Sequence, residues 1–442
     1  MNTQKTQALY THAKERMPGG VQLLSKRPEM FAPDVFPGYA VRAKGCQVED
    51  CDGNVYYDMT TNGIGACLLG FADPDVNAAV IKRIENGSMT SLNAPEEVEL
   101  ADRLCEIHPW AESVRFARTG GETCAVAVRI ARATTGRNLV AISGYHGWSD
   151  WYLAANLSND NSLDGLLLPG LEPSGVPTQL TGTSYTFIGN DTESFDKMIA
   201  EHGDELACVI MEPMRGEIPN DGFLQHVKDE LHRVGALLIF DEITIGWRYT
   251  FGGSHRALGV DPDIAVFAKA LGNGHPIGAI IGTKDAMSGA HGSFISSTYW
   301  TEAVGYAAAL ATIDKMEKTK IWEYVANIGE IVQKDWEEIG KRHGLNVHSS
   351  GLKCLSHFGF DYEYSLALNT LYTTLMLDEG FLANTGFYPT LAHDEKILSI
   401  HREAVDKVFC KIAEIIKKGG KEAVLEAIDG KVCHTGFKRL LK

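Results

Sequence analysis

Lys269 follows the apolar run Ile264–Ala268 and precedes Leu271-Gly272-Asn273-Gly274. A lysine at a strand end among apolar neighbours loses hydration, so its neutral amine is favoured and can attack a carbonyl. The bland alternative is a surface lysine with its stem laid along the protein; the apolar run before it and the glycines after it argue against that. Twenty-eight residues earlier (269 − 241), the run Ala236–Phe240 ends in Asp241-Glu242. A carboxylate at the mouth of a buried strand grips a cation, either Mg²⁺ or a protonated ring nitrogen. The Mg²⁺ reading needs a companion G-x-x-x-x-G-K-[ST] loop, and no Gly-Lys pair here is followed by Ser or Thr. A dinucleotide loop is excluded too, because neither Gly63-Ile64-Gly65 nor Gly272-Asn273-Gly274 completes G-x-G-x-x-G.

Two further motifs lie upstream. Thr119-Gly120-Gly121-Glu122 stands between the run Val114–Ala117 and a helical stretch, Glu122–Thr135. Paired glycines let backbone approach a ligand closely, and the helix start offers free N–H groups to an anion. The same four residues also read as a plain capping box, and both readings hold together. Tyr145-His146-Gly147-Trp148 follows the run Leu139–Ile142, where an aromatic side chain can stack on a flat ring or simply edge the core. Taken together, the amine, the carboxylate, the anion cradle and the stacking aromatic are the parts that pyridoxal 5'-phosphate requires. The lysine makes a Schiff base, the carboxylate keeps the ring nitrogen protonated, the cradle anchors the phosphate and an aromatic fixes the ring plane. No C-x-x-C pair or other metal-ligand spacing accompanies them, and no metal is expected.

Such residues must be carried by strand ends. Further short apolar runs occur at Ala207–Met211 and Gly278–Ile281, with a second helical pattern at Gly222–Val234. Apolar strands alternating with helices predict an α/β domain with a mostly parallel sheet covered on both faces. In such sheets ligands bind beyond the carboxyl ends of the strands. The N-terminal stretch predicts a short amphipathic helix with Leu9, Tyr10, Ala13 and Met17 on its apolar side, ending at Pro18-Gly19-Gly20. The Gly-, Pro-, Asn- and Ser-rich stretch from Asn156 to Thr178 predicts a long functional or oligomer-contact loop. From about Lys315 the chain returns to helices mixed with a few strands, such as Leu352–Phe358. The expected divisions are residues 1–60 as part of a smaller domain, 61–315 as the large cofactor-binding domain and 316–442 as the rest of the smaller α+β domain.

The 442 residues, 44% hydrophobic and 22% charged, suffice for a large buried core. A formal charge of −16 repels phosphate backbones and anionic membranes, which argues against nucleic-acid or lipid-surface partners. Nine scattered cysteines and no signal-like or membrane-length apolar stretch predict a cytoplasmic protein with reduced thiols.

At this level the sequence resembles a known family. Phe240–Arg248 (FDEITIGWR) and Phe267–Gly282 (FAKALGNGHPIGAIIG) are similar to the signature of class III, fold type I aminotransferases, over about Pro18 to His393. Pro18-Gly-Gly-Val, the T-G-G-E turn, Gly144–Trp148 and Asp378–Phe387 look like those of the glutamate-1-semialdehyde aminomutase-like members. The resemblance implies that Lys269 forms the Schiff base, Asp241 holds the pyridine nitrogen, Gly120 and Gly121 lie on the phosphate-binding turn and Tyr145 stacks on the ring. It also implies that Glu212 lies near the cofactor, and that Thr298 reaches the phosphate of a neighbouring subunit in a homodimer with shared active sites.

The departures fall on substrate recognition. Leu23 and Leu24 stand where the mutase has a serine and a proline, Ile64 where it has a tryptophan, and Tyr388 near where it has a glutamate. Thr298–Ala303 replaces T-x-S-G-N-P. The expected activity is transfer of an amino group from a donor such as glutamate to an aldehyde or ketone. Trp148, Arg215, Glu217, Trp300 and Glu302 are available to an acceptor such as a sugar of surface-polysaccharide or secondary metabolism. The alternatives are glutamate-1-semialdehyde 2,1-aminomutase itself and a catalytically silent cofactor-binding regulatory homologue.

Overall fold

The computed structural model describes residues 2–158, 162–166, 170–428 and 430–435. The chain forms two compact units, one from Met1–Asp73 with Ile321–Thr435 and the other from Pro74–Lys320.

The second unit holds a seven-stranded sheet. In chain order its strands are β1 (Ser113–Ala117), β2 (Leu139–Ser143), β3 (Ser184–Thr186), β4 (Leu206–Met211), β5 (Leu237–Asp241), β6 (Ile264–Phe267) and β7 (Gly278–Gly282). Their spatial order is β1-β7-β6-β5-β4-β2-β3. Only β7 runs against its neighbours; the pairs from β6 across to β3 are parallel. Strand β3 had no signal in the sequence, since Ser-Tyr-Thr is short, half polar and at the sheet edge.

Alternate residues of each central strand serve opposite faces, as the two-residue strand period requires. Cys208, Ile210 and Ile239 pack with Val126, Ala127 and Ile130 of helix α1 (Gly120–Thr135). Val209, Met211, Leu238 and Phe240 pack with Phe223, Val227 and Leu231 of helix α2 (Phe223–Val234). Each such side chain taken from water contributes roughly 1.5–3 kcal/mol. Two-sided burial explains why these strands read as continuous apolar runs rather than as alternation.

The other unit joins both ends of the chain. Phe381–Ala383 pairs parallel with Tyr57–Met59, completing a four-stranded sheet. Long helices at Ile321–His343, Ser365–Asp378 and Glu395–Ile428 enclose Trp336, Phe358, Phe360, Tyr372 and Phe409. Two expectations need correction here. The strand expected at Leu352–Phe358 is a 3-10 turn at Lys353–Leu355 followed by a strand at Ser356–Phe360. The N-terminal helix, Gln4–Arg16, buries Thr6, Tyr10 and Ala13, while Leu9 is exposed. The Thr6 hydroxyl accepts from the Gly38 and Tyr39 amides, and that rotates the buried face away from Leu9. Of the loop expected at Asn156–Thr178, residues 159–161 and 167–169 lie outside the described residues. In the rest, Asn156 accepts from Leu163 N–H and donates to the Leu171 carbonyl.

Helix α1 lies close on the sheet because β7 offers it a glycine. A Cβ at Gly278 would overlap the Thr123 hydroxyl, itself fully buried and bonded to the Thr119 carbonyl. Gly278→Ala should cost about 1–3 kcal/mol, as overpacked cores do, read as a lowered thermal midpoint. Adding Thr123→Ala should restore part of the loss; an unchanged midpoint in the single variant would disprove the close contact.

Candidate active site

Parallel strands bring their carboxyl ends to one edge, and the residues singled out from sequence gather there. Gly120 follows β1, Tyr145 follows β2, Glu212 follows β4, Asp241 ends β5 and Lys269 follows β6.

Asp241 is buried at the end of an apolar strand, where an unpaired carboxylate would be costly. Three donors satisfy it. Oδ2 faces His146 Nδ1 at 2.7 Å and accepts from Cys124 Sγ at 3.4 Å, while Oδ1 accepts from the Ile243 amide at 3.0 Å. Burial, then the Asp241 charge, push the Cys124 thiol well up, so it stays protonated and donates. His146 Nε2 lies 3.2 Å from the Ser143 carbonyl, so the ring spans that carbonyl and the Asp241 carboxylate. Cys124, His146 and Asp241 offer ligand atoms within 4.8 Å of one another, a convergence of residues too dispersed in sequence to be foreseen.

Neighbouring Glu242 serves the scaffold instead. Its carboxylate accepts from the Ser254 and His255 amides and meets His255 Nδ1 at 2.8 Å. Trp110 Nε1 donates to His255 Nε2. Indole N–H only donates, so the hydrogen of this imidazole sits on Nδ1 and points at Glu242.

Lys269 opens a 3-10 turn (Lys269–Gly272) with φ of +44°, a left-handed conformation that non-glycine residues seldom adopt. Such strain concentrates at functional sites. Its Nζ donates to Thr244 Oγ1 at 2.9 Å. Burial, then the nearby Arg215 charge, lower its pKa to about 8, while Glu212 and Asp241 pull the other way. At neutral pH this leaves a far larger neutral fraction than an ordinary lysine at 10.5 would have.

Thr119 caps α1 with a complete capping box: its hydroxyl accepts from the Glu122 amide, and Glu122 Oε2 accepts from the Thr119 amide. The cap occupies the Glu122 amide and leaves those of Gly120 and Gly121 at the open helix end, suited to an anion. Gly147 packs on Gly121 so closely that a Cβ would meet the Gly121 Cα at 2.8 Å. Trp148, beside Gly121, is 73% exposed. The half-buried Tyr145 ring meets Tyr152 edge-on at 5.9 Å, and its amide donates to Glu212 Oε2 at 3.3 Å. Glu212 Oε1 takes Arg215 Nη1 at 2.5 Å, and that Nη1 lies 3.5 Å from Thr244 Oγ1. A cavity of about 270 Å³ adjoins this chain, with Ser143, Asn190, Glu212, Arg215 and Glu217 in its wall.

Thr298 is placed apart from that network, exposed at the start of a turn, Thr298–Thr301. Arg118 pins the turn by donating to the carbonyls of Tyr299, Trp300 and Glu302. Glu302, available to a substrate on sequence grounds, accepts from the Val304 amide at 2.8 Å instead, at the start of the helix Val304–Thr319. Thr244, Cys124 and Arg118 were missed from sequence, since bonds to a hydroxyl, a carboxylate oxygen and backbone carbonyls across the fold leave no spacing pattern. His146 stood in a quoted motif without a role.

An amine, a clamped carboxylate and a glycine-lined helix end on one sheet edge fit a cofactor with a carbonyl, a basic ring nitrogen and a phosphate. Comparison with known proteins agrees. Residues 31–416 match the family Aminotransferase class-III. The 3-aminobutyryl-CoA aminotransferase of Cloacimonas acidaminovorans (strain Evry) is 29% identical over 425 residues, 93% of this chain and 98% of that protein. The 2'-deamino-2'-hydroxyneamine transaminase of Streptomyces kanamyceticus is 31% identical, over 82% of this chain and 89% of that protein. A glutamate-1-semialdehyde 2,1-aminomutase of Thermodesulfovibrio yellowstonii is 31% identical, over 93% of this chain and all of that protein. A solved transaminase with PLP bound superposes with a TM-score of 0.82 at 26% identity, covering 94% of this chain and 99% of that one. The chain therefore belongs to the class-III aminotransferases of fold type I, enzymes that work with pyridoxal phosphate.

Proposed function

We propose that the protein moves an amino group from a donor, with glutamate the first candidate, to an aldehyde or ketone on a sugar or similar polyol. The observation that carries aminotransfer is the depressed Lys269 amine on the same strand-end edge as the clamped Asp241 carboxylate. Bound pyridoxal phosphate supplies an electron sink for the bond broken at the substrate's amine-bearing carbon. Lys269 would hold it covalently and, once free, would carry a proton to and from that carbon as base and acid. Asp241 would hold the ring nitrogen in its protonated form, with His146 and Cys124 fixing the carboxylate. The Gly120 and Gly121 amides hold the phosphate at the helix end. Tyr145 would pack against the ring, and Glu212 accepts from the Tyr145 amide and so fixes the backbone there.

Thr298 belongs, in this reading, to the partner subunit's site. Its exposure supports a homodimer, as do Phe294 (86% exposed) and Tyr299 (69%) on the same stretch. Large apolar side chains left this open mark interaction surfaces. The polyol acceptor is supported by the polar wall of Asn190, Arg215 and Glu217, and by a relative whose name is that of a neamine-type transaminase. The second reading, the aminomutase, has relatives of that name at similar identity. Leu23, Ile64 and Tyr388 weigh against it, since a carboxylate and two amines need polar partners. A cytoplasmic location is supported by nine cysteines, none of them joined in a disulfide among the described residues. No helix among the described residues is long and apolar enough to cross a membrane.

Incubation with glutamate alone should yield about one equivalent of oxo acid per site. Adding an aldehyde-bearing sugar acceptor should make the release catalytic. Robust conversion of glutamate-1-semialdehyde to 5-aminolevulinate without a separate donor would make the aminomutase the right answer. Asp241→Asn should keep the covalent link yet lower kcat by about 10²- to 10⁴-fold; near-normal turnover would remove Asp241 from its role. Sedimentation should show a dimer whose dissociation costs activity, and a fully active monomer would contradict the shared site.

A further inference from the structure

We propose that Arg215, acting with the Thr244 hydroxyl, is a positioning residue for the reaction: it favours the neutral, proton-accepting form of the released Lys269 amine. The geometry is a hydroxyl between two nitrogen donors. Thr244 Oγ1 receives Lys269 Nζ at 2.9 Å and lies 3.5 Å from Arg215 Nη1. A hydroxyl oxygen has two lone pairs and can serve both. Guanidinium stays charged under all working conditions, so the proton that leaves to relieve the crowding of two cations is the lysine's.

Arg215 is also held in place. Glu212 Oε1 binds the same Nη1 at 2.5 Å, and Glu212 Oε2 is tied to the Tyr145 amide. The pair thus anchors a fixed positive charge beside the amine rather than a mobile one. The other groups facing Lys269 are Arg248 from the turn after β5, which acts with Arg215, and Asp241 with Glu212, which act against it. Cys124 on α1 remains a thiol and adds no charge. Among these, Arg215 is the leading charged cause of the lowered lysine value, second only to burial.

The inference rests on Lys269 as the reacting amine, and its test needs no substrate. The full-length chain freed of cofactor is labelled with acetic anhydride across a pH series, and the Lys269 peptide is quantified by mass spectrometry. The wild-type midpoint should lie at about 8. Arg215→Gln should raise it by about one unit, so that labelling at pH 7 slows by about tenfold. Arg215→Lys should stay near the wild type, and Glu212→Gln should lower the midpoint.

In the cofactor-loaded enzyme the acid limb of the kcat profile should follow the same order, and Thr244→Val should lower kcat with Thr244→Ser restoring it. An Arg215→Gln midpoint equal to wild type overturns the proposal. So does a rise in KM for carboxylate donors with no midpoint change, which would make Arg215 a substrate anchor. Should Arg215→Gln fail to fold by circular dichroism, Arg215→Met decides in its place, and an unmoved or lowered midpoint rejects the proposal. A failed sugar-acceptor assay with the predicted midpoint shifts would reject only the acceptor.

Discussion

A carboxylate at the end of an all-apolar strand is expensive to bury unless donors meet it, and Asp241 sets that condition for the whole large unit. Its donors come from three places in the chain: Cys124 on the first sheet-covering helix, His146 after the second strand, and the Ile243 amide just beyond. The helix must therefore lie close on the sheet, and Gly278 permits that. The second strand must lie in register with the one between it and Asp241, and the parallel pairings provide it. Satisfying one buried charge thus ties together the elements that also present the glycine turn and the aromatic.

The reactive lysine is governed by a different balance. Burial and two arginines disfavour its charge while two carboxylates favour it, and the outcome is an amine that gives up its proton more readily than an ordinary lysine. The two carboxylates are separated in function by their donors: Asp241 is clamped by a thiol, an imidazole and an amide, and Glu212 by a guanidinium and an amide. Glu242, adjacent to Asp241 in the chain, faces the other way because strand neighbours point to opposite faces. There it holds the Ser254–His255 turn.

How much could be read in the sequence follows from the range of each interaction. The fold class was legible because two-sided burial writes itself as apolar runs, and six of the seven large-sheet strands carried that mark. Ser184–Thr186, short and at the edge, did not. Lys269 and Asp241 stood out because a charged residue ending an apolar run is a local pattern. Thr119 and Glu122 were readable as a cap because the box spans three residues. Thr244, Arg118 and the Cys124 thiol were not, since their partners lie 25 to 184 residues away and only the folded sheet edge makes them neighbours. Leu9 misled because helical periodicity names a stripe but not which of its residues a distant hydroxyl bond will displace.

The pairing of Phe381–Ala383 with Tyr57–Met59 has a kinetic side. The partners are separated by 324 positions (381 − 57), and closing so long a loop in an unfolded chain carries an entropy cost that grows with the logarithm of its length. Within the large unit, Pro74–Glu85 packs on Val304–Thr319, and Lys315 Nζ lies 2.7 Å from Asp75 Oδ2. Once that unit has formed, its two ends are already gathered, and the effective loop shrinks to residues 58–73 and 321–380 outside it. The smaller unit should therefore be the late product of folding, assembled on a closure that the larger one has completed. Damage to the contact between Pro74–Glu85 and Val304–Thr319 would then appear as slow maturation of a sheet to which neither helix contributes a residue.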